Sequence, residues 1–96
     1  MNDNILEKLS SIIKDRKKKL PADSYISKLY KKGNVKIANK LGEEAIETIS
    51  AFLAQEKSDI VEESADLIFH LLILLETADL SFDDVLKSLE ERMKND

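Results

Sequence analysis

The chain has no cysteine, a single proline, two glycines, a single histidine and 5% aromatic residues among its 96 positions. Without cysteine there is no disulfide, no zinc–thiolate site and no thiol nucleophile, a composition that suits a reducing compartment. The longest apolar run, Leu67 to Leu75, is interrupted by His70 and falls far short of the ~20 residues that cross a bilayer. Its first residues lack a basic segment followed by an apolar stretch and a small-residue cleavage site, so no secretory signal is visible. A soluble, cytoplasmic protein is expected. The formal net charge of −4 disfavours generic binding to nucleic-acid phosphates, which requires a basic surface.

What is abundant is helix-forming material. Apolar residues make up 43% and charged residues 35% of the chain, a globular mix with the charges spread along periodic patterns. Ile5, Leu6, Leu9, Ile12, Ile13 and Arg16 recur at helical spacing, leave through Lys17, Lys18 and Lys19, and stop before Pro21, which disfavours helix in the residue preceding it. Asp23 or Ser24 caps a short helix over 25–32, and Gly33 ends it. Asn34 is positioned to cap a long helix, whose stripe of Val35, Ile37, Ala38, Leu41, Ala45, Ile49, Phe52 and Leu53 runs to about Ala54.

Gly42 sits within that stripe. A glycine inside a helix costs ~1 kcal/mol against alanine, so either it is simply tolerated or another backbone or a ligand approaches closely there. Asp59 and Glu62 have capping-box spacing for the next helix, which carries Val61, Ala65, Ile68, Phe69, Leu72 and Leu75. From Leu67 onward that helix is apolar on nearly every side, which suits a bundle centre or a subunit contact. Ser81 and Asp84 cap a last helix with Val85, Leu86, Leu89 and Met93. No strand pattern or repeat is present. The expected fold is all-α, one domain over 1–96: a helical bundle with two long antiparallel central helices, shorter flanking helices, and dimerisation to complete it.

Two acidic clusters stand inside these apolar patterns: Glu43, Glu44 and Glu47 on the first long helix, and Glu62, Glu63 and Asp66 on the second. Residues three apart on a helix differ by ~60° in direction and ~4.5 Å in rise, so Glu44 and Glu47 project together, as do Glu63 and Asp66. A short connection near residues 55–58 makes the two helices antiparallel, which lets four carboxylates converge across one groove. The competing reading, an ordinary solvated helix surface, explains one such pair better than two, because like charges at this spacing repel unless a cation compensates them.

Oxygen ligands without thiolate suit Mg²⁺, with Mn²⁺ as the alternative, and Mg²⁺ held by carboxylates is typical of phosphate chemistry. Histidine is missing from the offsets a di-iron bundle requires. Lys36 and Lys40 fall on the stripe of Glu44 and Glu47 and can meet a phosphate, although Lys40 can equally form a helix salt bridge to Glu44; Lys28, Lys31 and Lys32 can add to the same field, with solvated surface the expected role of at least one. His70 lies one turn beyond Asp66 and reads first as a satisfied core histidine, with hydrogen bonding to a ligand or substrate as the other role. Tyr25 and Tyr30 read as packing groups.

The stretch Ser24-Tyr25, Leu29, Lys32-Gly33, Ile37, Lys40-Leu41-Gly42-Glu43-Glu44-Ala45-Ile46-Glu47, then Glu62-Glu63-Ser64-Ala65-Asp66-Leu67-Ile68-Phe69-His70-Leu71-Leu72 and Leu80 to Leu86, resembles the phosphoribosyl-ATP pyrophosphatases of histidine biosynthesis. These belong to the wider all-α nucleotide pyrophosphohydrolase superfamily. The acidic motifs are common to that superfamily, while the Ser-Tyr, Lys-Gly and Lys-x-Gly-Glu-Glu-Ala elements narrow the choice.

The resemblance implies hydrolysis of phosphoribosyl-ATP to phosphoribosyl-AMP and pyrophosphate, by water attack between the α and β phosphates. It implies Glu44, Glu47, Glu63 and Asp66 as Mg²⁺ ligands, and Glu43 as a direct participant or one acting through a ligand. Glu43 or Glu47 is the expected proton acceptor, and Lys40 with Lys36 the expected partner of the leaving group. A free-standing enzyme performing this step alone, as a homodimer or higher homo-oligomer, is the accompanying expectation. Two other functions fit the acidic pattern: a house-cleaning pyrophosphohydrolase of free nucleoside triphosphates, and a noncatalytic helical adaptor for a basic partner. A bare dimerisation module is a third, against which the doubled acidic motif argues.

Overall fold

A computed structural model describes residues 4–96. Five helices follow one another: α1 (Ile5–Lys19), α2 (Tyr25–Lys32), α3 (Asn34–Leu53), α4 (Lys57–Thr77) and α5 (Phe82–Asn95). No strand occurs among the described residues, so the all-α expectation holds. The two long helices, α3 and α4, form an antiparallel hairpin with the closest packing in the molecule; α1 and α2 cover one side of it, and α5 leans on α1.

Each boundary has a local cause. Leu20, held out of the helical region by Pro21, takes the left-handed conformation (φ 50°) and returns its N–H to the Arg16 carbonyl at 2.9 Å. Ser24, of the two candidate caps, accepts the Ser27 N–H at 3.2 Å. Gly33 both ends α2 and caps α3. Its φ of 95°, open to glycine and rarely to other residues, reverses the chain within one residue, so Asn34 is already the first helical residue and not the cap.

The start of α4 also differs from expectation. The helix opens at Lys57 after Glu56, because Gln55 turns the chain at φ 60° and completes the reversal early. Asp59 therefore lies inside the first turn, where a negative charge favours the helix dipole, instead of capping. At α5 the capping box forms, with the Ser81 N–H donating to Asp84 Oδ2 at 2.9 Å.

Ile13, Ile26, Leu29, Ile37, Leu72 and Ile73 make the core where α1, α2, α3 and α4 meet. Ser27 is fully buried among them and donates its hydroxyl to the Arg16 carbonyl at 3.2 Å, which ties α2 to the end of α1. Tyr30 donates to the Ile73 carbonyl at 2.9 Å, so its role is structural. A Cβ at Gly42 would meet no neighbouring element of this chain within 4 Å, so no other helix of the same chain approaches its backbone there. The hairpin buries only one of its faces within the chain. On the other, Val35, Ile46, Ile49, Phe52, Leu53, Val61 and Ile68 are exposed.

Candidate metal centre

The hairpin brings residues nineteen and more positions apart into one groove. Glu44 projects from α3, and Glu63 and Asp66 project from α4. One carboxylate oxygen from each lies within 4.8 Å of the other two. Oxygens on opposite sides of an octahedral Mg²⁺ stand about 4.2 Å apart given bonds of ~2.1 Å, so a small adjustment of side chains closes the cluster on an ion.

The depth of the site gives this geometry its meaning. Glu44 is 5% exposed, and Oε2 of Glu44 and Oε2 of Glu63 are both buried without a hydrogen-bond donor. An unsatisfied buried acceptor costs about 1–3 kcal/mol, more when charged. Two such oxygens, on acids whose carboxylates meet in one cluster, fit a cation. A solvated acidic surface would leave these atoms in water.

A single ammonium offsets part of the charge. Lys40, half-buried one turn before Glu44, places Nζ 3.4 Å from Glu44 Oε1 and 3.6 Å from Glu43 Oε2. Burial pushes its affinity for a proton down, but the Tyr25 oxygen and the Glu44 and Glu43 carboxylates outweigh burial and hold the ammonium pKa above the ordinary lysine value. Lys40 is thus a fixed positive charge at the edge of the cluster.

The other residues singled out by the sequence take separate places. Glu47 is exposed, outside the three-carboxylate cluster though on the same helix; Glu43 and Lys36 are exposed as well. The Thr48 hydroxyl donates to the Glu44 carbonyl at 2.8 Å, an i to i−4 bond within α3.

His70 is buried and has both ring nitrogens engaged. Nδ1 donates to the Asp66 carbonyl at 2.7 Å, because a carbonyl can only accept, and in the neutral ring Nε2 then accepts from the Tyr25 hydroxyl, also at 2.7 Å. The reading as a satisfied core histidine is met, but its partner reaches the site. Tyr25 packs its ring on Phe69 at 6.1 Å between centroids. Burial, opposed by the Lys40 charge and reinforced by Glu44, Asp66 and Glu43, raises the Tyr25 pKa above the ordinary phenol value. Sequence spacing gives no sign of this pair, whose members lie 45 positions apart; the available signals are the Ser24-Tyr25 and Phe69-His70 elements of the resemblance.

Comparison with known proteins gives the family. The family model described as phosphoribosyl-ATP pyrophosphohydrolase matches residues 6–93. A phosphoribosyl-ATP pyrophosphatase of Pyrobaculum aerophilum is 48% identical over 94 residues, covering 98% of this chain and 100% of the relative. One of Zymomonas mobilis is 46% identical over 92 residues, covering 96% of this chain and 86% of the relative. A histidine biosynthesis bifunctional protein of Buchnera aphidicola is 47% identical over 91 residues. The match takes in 95% of this chain but only 42% of that longer relative.

Proposed function

This chain belongs to the phosphoribosyl-ATP pyrophosphohydrolase family, and we propose from that membership that it hydrolyses phosphoribosyl-ATP to phosphoribosyl-AMP and pyrophosphate in histidine biosynthesis. The observation that carries the reading is the pair of buried, donorless oxygens of Glu44 and Glu63 beside Asp66. Such a cluster is costly unless a hard divalent cation is bound, and Mg²⁺, or Mn²⁺ in its place, is the cation these oxygen ligands suit.

Glu44, Glu63 and Asp66 are the ligands in this account, with the exposed Glu47 free to turn in as a fourth. When bound, the cation neutralises and polarises the phosphate oxygens and lowers the pKa of the attacking water. Glu43 or Glu47 accepts the proton released as water adds at the bond between the α and β phosphates. That phosphoanhydride bond breaks, and pyrophosphate leaves with the electron pair. Lys40, already charged beside Glu44, offsets the negative charge that grows on the leaving group, with Lys36 one turn earlier supporting it.

The bare face of the α3–α4 hairpin supports a homodimer. Seven large apolar side chains exposed on adjoining helices exceed the scattered apolar residues of an ordinary surface, and a second copy of the hairpin is the occupant we assign. No helix of the described residues is long and apolar enough to cross a membrane, in keeping with the cytoplasmic location we assign.

Pyrophosphate release from phosphoribosyl-ATP, set beside ATP, dATP and dUTP, with Mg²⁺ and with EDTA, tests the function. Release from phosphoribosyl-ATP alone, abolished by EDTA, is expected. Preference for the free triphosphates would transfer the chain to a house-cleaning role, and no release from any of them would favour an adaptor.

A further inference from the structure

The hydrogen bonds around His70 fix the direction of a proton on Tyr25. The Asp66 carbonyl takes the Nδ1 proton of His70, which leaves Nε2 of the neutral ring as an acceptor. The Tyr25 hydroxyl must then donate to it across their 2.7 Å contact. With that proton turned inward, the phenolic oxygen has only lone pairs to offer on its open side. Tyr25 remains 47% exposed, and its bond to His70, itself bonded to the backbone of Asp66, sets it beside the acidic cluster. A phosphate oxygen would meet it acceptor to acceptor, which is repulsive. A group carrying O–H or N–H would not.

We infer that Tyr25 is a substrate-positioning residue that accepts a hydrogen bond from a donor on the nucleoside part of the substrate, a ribose hydroxyl foremost, with His70 holding it in the accepting state. Tyr25 thus serves orientation and binding, and the charge chemistry stays with the carboxylates and Lys40. His70 acts through Tyr25 and touches neither substrate nor cation. The inference rests on the proposed hydrolysis for its substrate, while the proton arrangement that underlies it can be read without any turnover.

The chain has one histidine, so ¹⁵N spectra of labelled protein at neutral pH report His70 without ambiguity. The expected result is a proton on Nδ1 and an acceptor signal at Nε2 that moves in Tyr25→Phe. A proton on Nε2, or an imidazolium, overturns the inference whatever the enzyme does. In steady-state assays, Tyr25→Phe should raise KM roughly three- to tenfold, the worth of one hydrogen bond, with kcat within about twofold.

His70→Asn, which can keep the bond to the Asp66 carbonyl but removes the acceptor for Tyr25, should raise KM similarly. Combined with Tyr25→Phe it should add less than about twofold, the non-additivity of residues acting as one unit. Additive effects, or a fall in kcat at constant KM, would contradict the assignment. Mn²⁺ affinity of the substrate-free protein should be unchanged by Tyr25→Phe; a loss there with KM intact would place the donor on water at the cation and also overturn it. If wild-type protein releases no pyrophosphate while the tautomer is as stated, the hydrolase reading fails and the Tyr25–His70 arrangement stands. Melting curves of each variant separate these effects from unfolding.

Discussion

Lys40 Nζ stands 3.4 Å from Oε1 of Glu44, while Oε2 of the same carboxylate is buried with no donor at all. One side chain is thus half satisfied. The lysine supplies one turn of helical pairing from within α3, and across the groove the carboxylate meets two further acids, Glu63 and Asp66 on α4, with one oxygen of each of the three within 4.8 Å of the others. Like charges so placed cost stability until a cation separates them, so the folded chain gives up stability to keep the site open.

Glu44→Gln removes a charge from that crowd. In EDTA its melting temperature should equal or exceed that of the wild type, because relief of repulsion offsets the weakened pairing with Lys40. Pyrophosphate release should fall by roughly a hundredfold or more as a ligand carboxylate is lost. Differential scanning calorimetry together with kcat/KM checks both; a destabilised variant with normal turnover would contradict the role.

Mg²⁺ should stabilise the wild-type chain. At a concentration of 100 times Kd the linkage is about 2.7 kcal/mol, which for a domain of this size corresponds to a rise of about 10 °C or more in Tm. The rise should shrink sharply in Asp66→Asn. Thermal melts across a Mg²⁺ series provide the test.

Asp84 predicts an acid-limb effect at the far end of the molecule. The Ser81 backbone N–H, helped by the Ser81 hydroxyl and Lys87 and opposed by slight desolvation, holds its carboxyl below the ordinary value of 3.8. A depressed folded pKa contributes stability that is present above 3.8 and is lost as pH falls through the lower folded value. The stability gap between wild type and Asp84→Asn should therefore be constant from neutral pH down to about 4, then close below it. Urea melts over that range measure the gap.

Ile49→Asp introduces a charge on the bare hairpin face, at a side chain 57% exposed within one chain. Folding of the chain itself should be little affected, whereas a homodimer burying that position should dissociate. Light scattering after size exclusion should show the mass halved at unchanged helical circular dichroism. A wild-type monomer would contradict the proposed assembly.

Much of this was legible in the sequence because breakers are so few. Pro21, Gly33 and Ser81 each end or begin a helix where chain chemistry requires it, and the convergence of Glu44, Glu63 and Asp66 follows from helical period plus a short connection. The departures arise where tertiary geometry selects among locally equivalent choices. Gly33 and Gln55 reverse the chain sooner than capping preferences suggest, so Asn34 and Asp59 fall inside helices. Helical spacing places Glu47 next to Glu44, but the packing of α3 on α4 decides which of them faces the groove, and no local pattern encodes it. The Tyr25–His70 bond joins distant segments and is invisible to any window along the chain.

The proposed chemistry depends on Glu44, Glu63 and Asp66 forming one cation site, and a Mn²⁺ titration of substrate-free protein followed by the electron paramagnetic resonance of the free ion tests it most directly. Glu44→Gln, Glu63→Gln and Asp66→Asn should each weaken binding by roughly tenfold or more, while Glu62→Gln, altering an exposed neighbour, should bind like the wild type. Equal affinity in all four variants and the wild type, or no binding by the wild type, would contradict it.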